Sequence, residues 1–232
     1  ARLADTMPEA ARTAARGRVE AMAEARAGAR AAELAADRER QGRSPLDFAE
    51  FAAALAERLP DDAVIVDEAL TNSPALTRYR PPEVPGSHLL TRGGSLGIGF
   101  PGAVGAKLAL PGHPVVGVSG DGGSMYTAQA LWTAARHHLD TVFVVCNNRS
   151  YRLLQANIGT WWRDQGIPRH DYPLAFDLSE PPIRFDELAW SMGVLGIRVE
   201  KSEQIEPAID DALSTKGPVL LEVVVEGDVH PE

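Results

Sequence analysis

Short apolar segments rich in β-branched residues alternate along the chain with segments whose apolar residues recur at helical spacing. The strands predicted from this pattern are 63–66, 88–90, 115–118, 141–145, 194–199 and 219–225. The helices predicted between them are 103–110, 128–138, 185–192 and 202–213. Another helix, with apolar residues at helical spacing from Phe48 to Leu59, precedes the first strand. The alternation predicts the α/β class, with a parallel β-sheet covered by helices on both faces.

Two local patterns refine this picture. Ser44-Pro45 before Phe48 is typical of a helix start, with Ser44 as the cap and Pro45 at the first helical position. The segment Trp161–Arg163 shows no clear element and is predicted to lie in a loop, as a lid, an interface or ordinary packing.

The first 40 residues have a different texture. They contain 15 Ala and 8 Arg but no aromatic residue, which favours a helix with only a thin apolar face. We therefore predict a helical connector over 1–43 and a compact domain over 44–232. The chain starts without Met, which we interpret as the sign of a processed or partial polypeptide.

Composition and charge exclude several classes of function. The chain is 44% hydrophobic and 24% charged, as soluble globular domains are, and no apolar segment approaches the roughly 20 residues of a membrane-spanning helix. The net charge of -9 argues against a nucleic-acid-binding surface. The single cysteine, Cys146, excludes an internal disulfide and fits a cytoplasmic protein.

Three loops that follow predicted strands carry the candidate chemistry, because ligands bind at the carboxyl ends of parallel strands. The loop 93–102 is glycine-rich, so its backbone can approach a ligand closely. The loop 120–124 places Asp121 between glycines, and the loop 147–151 opens with two asparagines. Taken singly, each loop also has a simpler interpretation: a tight turn for 93–102, a helix cap for 120–124 and a turn for 147–151.

The order of the strands makes the second and third loops more informative together. A single helical crossover separates their two strands, so the strand ends are expected to be neighbours at one edge of the sheet. One carboxylate, one amide oxygen and one backbone carbonyl can then converge. Such hard oxygen ligands suit Mg²⁺, which takes its remaining ligands from phosphate and water.

Gly120-Asp121-Gly122, followed after 24 residues by Asn147-Asn148, resembles the thiamine-diphosphate signature of the family that includes benzoylformate decarboxylase, benzaldehyde lyase and acetolactate synthase. The resemblance covers about 45–226, with 93–110, 131–135 and 216–223 as further matching segments. It implies the diphosphate-binding domain of such an enzyme, most like benzoylformate decarboxylase, with thiamine diphosphate and Mg²⁺ as cofactors. It also identifies 1–43 with a connector from, or a remnant of, a preceding central domain.

The resemblance assigns residues to the two cofactors. The implied Mg²⁺ ligands are the side chains of Asp121 and Asn148 and the backbone carbonyl of Ser150. Leu96 is implied to lie beneath the bent cofactor, whose amine donates a hydrogen bond to the carbonyl of Gly94. The other implied cofactor contacts are Leu70, Thr71, Ser95, Gly120, Gly122, Gly123, Ser124 and Tyr151.

The resemblance also points to the substrate pocket. Leu153 and Leu154 are implied to border it, and the proline-rich loop 166–182 is expected to cover it. Arg149 and Arg152 stand where relatives often have small residues, which favours an acidic substrate.

The implied reaction is decarboxylation or carboligation of a 2-oxo acid or aldehyde. In this family the glutamate that activates the cofactor lies on a separate pyrimidine-binding domain, and no segment of this sequence resembles that domain. Neither Glu68 nor Glu222 matches its motif, so no catalytic residue is assigned in this chain. The resemblance therefore implies a pyrimidine-binding domain from the same full-length protein or another chain, in a homodimer or homotetramer.

Three alternatives stay open. An acetolactate-synthase-like carboligase would use the same site. An NAD-dependent oxidoreductase would use Gly97–Gly102 as a G-x-G-x-x-G motif and Asp121 for the ribose, but it leaves Asn147 and Asn148 without a role. A non-catalytic subunit would explain the missing domain, whereas the intact Asp121 and Asn148 argue against it.

Overall fold

The computed structural model describes residues 6–91 and 94–227 and divides into two units, Ala1–Arg40 and Gln41–Glu232. The first unit contains helix α1, Glu9–Arg38. Its Ala and Arg content favours helix, and most of its side chains are exposed, as the thin apolar face predicts.

The second unit is built on a six-stranded sheet in the order β2-β1-β3-β4-β6-β5, in which every pair of neighbouring strands is parallel. The strands are Val64–Glu68 (β1), His88–Leu90 (β2), Val115–Gly120 (β3), Thr141–Asn147 (β4), Leu195–Val199 (β5) and Val219–Val224 (β6). The predicted α/β class and parallel sheet are therefore confirmed.

Helices cover both faces of this sheet. They are Phe48–Arg58 (α2), Ser73–Tyr79 (α3), Gly99–Ala109 (α4), Asp121–Ser124 (α5), Ala130–Arg136 (α6), Arg152–Asp164 (α7), Phe185–Ser191 (α8) and Ser202–Ser214 (α9), with short 3-10 turns at Leu70–Asn72 and Leu174–Phe176. No helix in the described part of the chain is long and apolar enough to cross a membrane.

The alternation of side chains along β4 divides the core into two layers. Val144 and Cys146 pack into the cluster that includes residues of α2, α3 and α9, whereas Phe143 and Val145 pack into the cluster that includes residues of α4, α6 and α8. Because both faces of the central strands are covered, these strands are continuous apolar runs.

Strand β1 lies between β2 and β3, so the chain moves outward to β2 and then returns to the other side of β1. The loops that leave β1 and β3 therefore diverge and open a crevice at the carboxyl edge of the sheet. In open parallel sheets this is the place where ligands bind.

Two local predictions were wrong. Helix α2 starts at Phe48, and its cap is Asp47, whose side chain accepts a hydrogen bond from the N–H of Ala49 at 2.9 Å, not Ser44. The reason is that Leu46 forms a β-bridge with Val225, which keeps the chain before Asp47 out of the helix.

The segment Trp161–Arg163 belongs to helix α7 and not to a loop. Within it, Trp162 is buried and its ring stacks on Tyr172 with the centroids 5.7 Å apart. The apolar residues Leu154, Ile158 and Trp162 do recur at helical spacing, but Gly159 weakens the helical signal.

Candidate functional site

The loop after β1 is bent by a buried carboxylate. Asp67 accepts hydrogen bonds from the N–H of Ala69 and the hydroxyl of Ser73, both at 2.8 Å. Leu70 follows with φ +52, a left-handed conformation that is uncommon for a residue other than glycine. The turn brings Leu70 and Thr71 to the wall of a cavity at the edge of the sheet.

The sequence predicted a loop at 120–124, but the short helix α5 directly follows β3 and opens with a second buried carboxylate. Asp121 is 4% exposed, and its Oδ1 accepts a hydrogen bond from the N–H of Gly122 at 2.8 Å. Its Oδ2 is buried and has no hydrogen-bond partner among the residues described. Burial raises the pKa of Asp121 to about 6, although the N–H of Gly122 and those of 148–150 act in the opposite direction. A buried carboxylate oxygen without a partner is costly, and a cation beside it would remove that cost.

The loop after β4 turns its two asparagines in different directions. Asn147 is buried, and its amide donates a hydrogen bond to Glu222 at 2.7 Å. The side-chain oxygen of Asn148 accepts from the N–H of Ser150 at 3.0 Å, and both residues line the cavity. Of the two, Asn148 is therefore the asparagine that lines the cavity, and Arg149 between it and Ser150 has φ +56.

The side chain of Asn147 is held by a buried acid on a neighbouring strand. Glu222, on β6, accepts hydrogen bonds from the amide of Asn147, from the N–H of Asp186 and from the guanidinium of Arg198. Burial raises the pKa of Glu222, against the lowering effects of the Asp186 N–H and the Asn147 amide. Glu222 thus has a structural role in holding the end of β4.

The glycine-rich loop carries an exposed apolar side chain to the same cavity. Gly94 and Gly97 have φ +71 and +87, which only glycine adopts easily. Leu96 between them is 41% exposed and lines the cavity. Gly93, which opens the predicted motif, lies outside the described residues.

The same loop argues against a dinucleotide site. The N–H groups of Gly97 and Gly99 donate hydrogen bonds to the buried carboxylate of Glu68, each at 2.5 Å. A G-x-G-x-x-G motif needs such N–H groups for a diphosphate, whereas here they are already paired inside the protein.

Most of the predicted site residues meet in one cavity of about 550 Å³. Those lining it are Leu70, Thr71, Gly94, Leu96, Gly120, Asp121, Gly122, Gly123, Asn148, Ser150, Tyr151, Leu153 and Leu154. Ser95 and Ser124 do not line it. The hydroxyl of Ser124 is buried and donates to the carbonyl of Asp121, and the carbonyl of Ser95 accepts from the hydroxyl of Thr91.

The cavity also contains residues that sequence reasoning missed. Ala69, Asn72, Tyr126, Ala175 and Phe176 line it. Phe176 lies in the loop predicted to cover the site, and its carbonyl accepts from the N–H of Tyr151 at 2.9 Å. No local pattern marks Phe176, because it reaches the site through this contact with a distant segment.

The two arginines singled out from the sequence separate in space. Arg152 lines the cavity described above, whereas Arg149 lines a different, more polar cavity of about 610 Å³ that also contains Arg169. Arg152 is therefore the arginine that lines the candidate site, and its guanidinium donates to the carbonyl of Glu226, a residue of the second cavity, at 3.4 Å.

Residues 69–223 match the family described as thiamine pyrophosphate enzyme, C-terminal TPP binding domain; thiamine pyrophosphate is another name for thiamine diphosphate. Benzoylformate decarboxylase from Pseudomonas aeruginosa is 34% identical over 164 residues, which make up 71% of this chain and 29% of that protein. Acetolactate synthase from Bacillus subtilis is 33% identical over 132 residues, 57% of this chain and 21% of that protein.

Among solved structures, the thiamine diphosphate-dependent 4-hydroxybenzoylformate decarboxylase of Rhodococcus jostii RHA1 is similar, with a TM-score of 0.72 and 33% identity. The match covers 80% of this chain and 34% of that one. This chain therefore spans between about a fifth and a third of the length of the relatives that it matches.

Proposed function

The chain belongs to the thiamine pyrophosphate enzymes, whose C-terminal cofactor-binding domain it carries at 69–223, and we propose that its cavity binds thiamine diphosphate with Mg²⁺ for decarboxylation or carboligation of a 2-oxo acid. The observation that carries the proposal is the buried Oδ2 of Asp121, which faces no hydrogen-bond partner in the described chain.

The residues at this point fit a magnesium ion. The carboxylate of Asp121, the amide oxygen of Asn148 and the backbone carbonyl of Ser150 are the hard oxygen donors that Mg²⁺ prefers. Asp121 and Asn148 come from neighbouring strands whose pairing extends to Gly120 and Cys146. The cation would neutralise Asp121 and connect it to a diphosphate, so an acidic protein can hold an anion.

The glycines beside Asp121 fit a diphosphate. Gly122 and Gly123 line the cavity together with Thr71 and Tyr151. At both glycines a side chain would meet protein atoms, so the backbone is what they present there. These residues would hold the diphosphate, and Leu96 and the carbonyl of Gly94 would support the rest of the cofactor. When bound, thiamine diphosphate supplies an electron sink for the bond that breaks next to the carbonyl of a 2-oxo acid.

The substrate side of the cavity is mainly apolar. Leu153, Leu154, Ala175 and Phe176 would exclude water and hold an apolar group, with Arg152 beside them for a carboxylate. This combination supports an aromatic 2-oxo acid, as in a benzoylformate-decarboxylase-like enzyme. An acetolactate-synthase-like carboligase remains the alternative for the same site.

The proposal includes a second domain. The chain spans no more than about a third of its relatives, and it contains no match to the glutamate motif that activates the cofactor. We infer that a pyrimidine-binding domain, from the same full-length protein or another chain, completes the site in a homodimer or homotetramer. Turnover of a 2-oxo acid once that domain is supplied would contradict the alternative of a non-catalytic subunit.

The test is Asp121→Ala, measured by isothermal titration of thiamine diphosphate with MgCl₂ or with EDTA. We expect the native chain to bind only with Mg²⁺ and the variant not to bind, with an unchanged circular dichroism spectrum. Asp140→Ala is the matched control, because it removes a carboxylate near the start of β4, at the opposite edge of the sheet. Equal affinity of native chain and Asp121→Ala, or binding of NADH in place of thiamine diphosphate, would overturn the proposal.

A further inference from the structure

Glu68 is the last residue of β1, and its carboxylate is turned into the protein. The residue is 1% exposed. Its Oε1 accepts the N–H of Gly97 and its Oε2 accepts the N–H of Gly99, both at 2.5 Å. Hydrogen bonds to an ionised acceptor are short and stronger than neutral ones, which makes a buried anion tolerable here.

These two bonds belong to a larger set of contacts around Leu96. The carbonyl of Gly97 accepts from the hydroxyl of Thr127 at 2.9 Å, and the carbonyl of Ser95 accepts from the hydroxyl of Thr91 at 2.8 Å. The backbone is therefore held on both sides of Leu96. This explains how an apolar side chain remains 41% exposed at the cavity instead of collapsing onto the core.

The Glu68 carboxylate also reaches the loop after β3. A Cβ added at Gly123 would lie 3.1 Å from Oε1, and one added at Gly99 would lie 3.1 Å from Oε2. The same side chain is thus packed against both the glycine-rich loop and the loop that carries Asp121. The carboxylate therefore lies beside both segments, and its hydrogen bonds to Gly97 and Gly99 hold the glycine-rich one.

We propose that Glu68 is a positioning residue that holds the backbone of 97–99 and thereby presents Leu96 to the cofactor opposite Asp121. This inference rests on the proposed function, since it gives Leu96 a ligand to support. Glu68 itself does not line the cavity in the described structure and touches no reacting atom.

A carboxylate is required because both of its oxygens accept. In Glu68→Gln one oxygen becomes an NH₂ group that faces a backbone N–H, so one of the two bonds is replaced by a repulsion between donors. The variant is nearly isosteric, so it loosens the loop without opening a cavity.

The first experiment tests the contact alone. In a chain labelled with ¹⁵N-glycine, the amide protons of Gly97 and Gly99 are expected to resonate downfield and to exchange slowly. In Glu68→Gln the glycine amide that faces the new NH₂ group should exchange at least about tenfold faster. Asp67→Asn is the control, because it removes an equally buried carboxylate that does not bond to either glycine. Rapid exchange in the native chain, or unchanged exchange in Glu68→Gln, would overturn the inference.

The second experiment separates positioning from general stability. Inorganic diphosphate with MgCl₂ needs only the Asp121 side of the cavity, whereas thiamine diphosphate with MgCl₂ also needs Leu96. We expect Glu68→Gln to weaken the binding of thiamine diphosphate by about fivefold to tenfold and to leave the affinity for inorganic diphosphate unchanged. In the Leu96→Ala background the added loss from Glu68→Gln should disappear, because the two residues act through one contact.

An equal loss of affinity for both ligands would show that Glu68 does not act through Leu96. The same conclusion would follow if the losses from Glu68→Gln and Leu96→Ala added fully in the double variant. If the native chain binds neither ligand, the proposed function fails, and the exchange experiment still decides whether Glu68 holds the loop.

Discussion

The three glycines where β3 meets α5 differ in what lies beside each α-carbon. A Cβ at Gly122 would lie 2.3 Å from the ring of Tyr151, and one at Gly123 would lie 3.0 Å from the hydroxyl oxygen of Ser119. A Cβ at Gly120 would have no neighbour within 4 Å. Close packing therefore demands glycine at 122, whereas at 120 the structure leaves room for a side chain.

Gly122→Ala is expected to displace Tyr151 and to destabilise the chain by about 1–3 kcal/mol, the usual cost of overpacking. Gly120→Ala, the matched control, should stay within about 0.5 kcal/mol of the native chain. Urea unfolding followed by circular dichroism gives both values. Equal losses would show that the contact with Tyr151 is not what requires glycine.

At the scale of helices and strands, the side chain of Glu222 connects its own strand to three other elements. Glu222 on β6 bonds to Asn147 of β4, to the backbone of Asp186 on α8 and to Arg198 of β5. Its charge is buried, so these bonds replace the water that it loses on folding. The end of β4, and with it the loop that carries Asn148, is therefore tied to the neighbouring strands.

Arg198→Met should destabilise the chain by about 2–4 kcal/mol near pH 8, because it leaves the Glu222 carboxylate buried without its cation. This loss of stability should be smaller near pH 5. Because burial raises the pKa of Glu222, its protonated form is favoured in the folded state and needs no cation, so the penalty grows as pH rises through that pKa.

Arg163→Met serves as the control, since the side chains of that arginine and of its partner Asp164 are both 63% exposed. Its loss should be under about 1 kcal/mol. Urea unfolding at the two pH values compares the variants. A pH-independent loss in Arg198→Met would contradict the role given to Glu222.

For the molecule as a whole, the sheet order decides where a ligand can act. β1 has β2 on one side and β3 on the other, and the residues that follow β1 and those that follow β3 both line the cavity. A ligand held between them contacts segments that are far apart in sequence. Binding of such a ligand is therefore expected to stabilise the whole domain against unfolding, and not only to order one loop.

Saturating thiamine diphosphate and Mg²⁺ should accordingly raise the Tm of the native chain. At about 100 times Kd the stabilisation is roughly 2.7 kcal/mol, which corresponds to about 5–10 °C for a chain of this size. The Tm should not rise when the native chain is given thiamine diphosphate with EDTA. It should not rise either when the Asp121→Ala variant is given thiamine diphosphate with Mg²⁺. A shift that persists in EDTA would contradict a bridging cation.

Much of this arrangement is visible along the chain. The alternation of apolar strands and amphipathic helices predicts the parallel sheet, because side-chain burial on two faces leaves a periodic trace. The spacing of Asp121 and Asn148 predicts their meeting, because one crossover between parallel strands puts both strand ends at one edge. These features depend on neighbours in sequence or on a single connection.

Other features depend on contacts between segments that no local pattern connects. Glu68 looks like any acid at a strand end until the fold places Gly97 and Gly99 over its carboxylate. The choice between Asn147 and Asn148 is made by Glu222, which is distant in sequence and adjacent in space. Phe176 joins the cavity through the short antiparallel pairing of 176–178 with 149–151. Residue type and spacing thus specify the sheet and the meeting of Asp121 with Asn148, whereas the packing of distant segments specifies which other side chains support the candidate site.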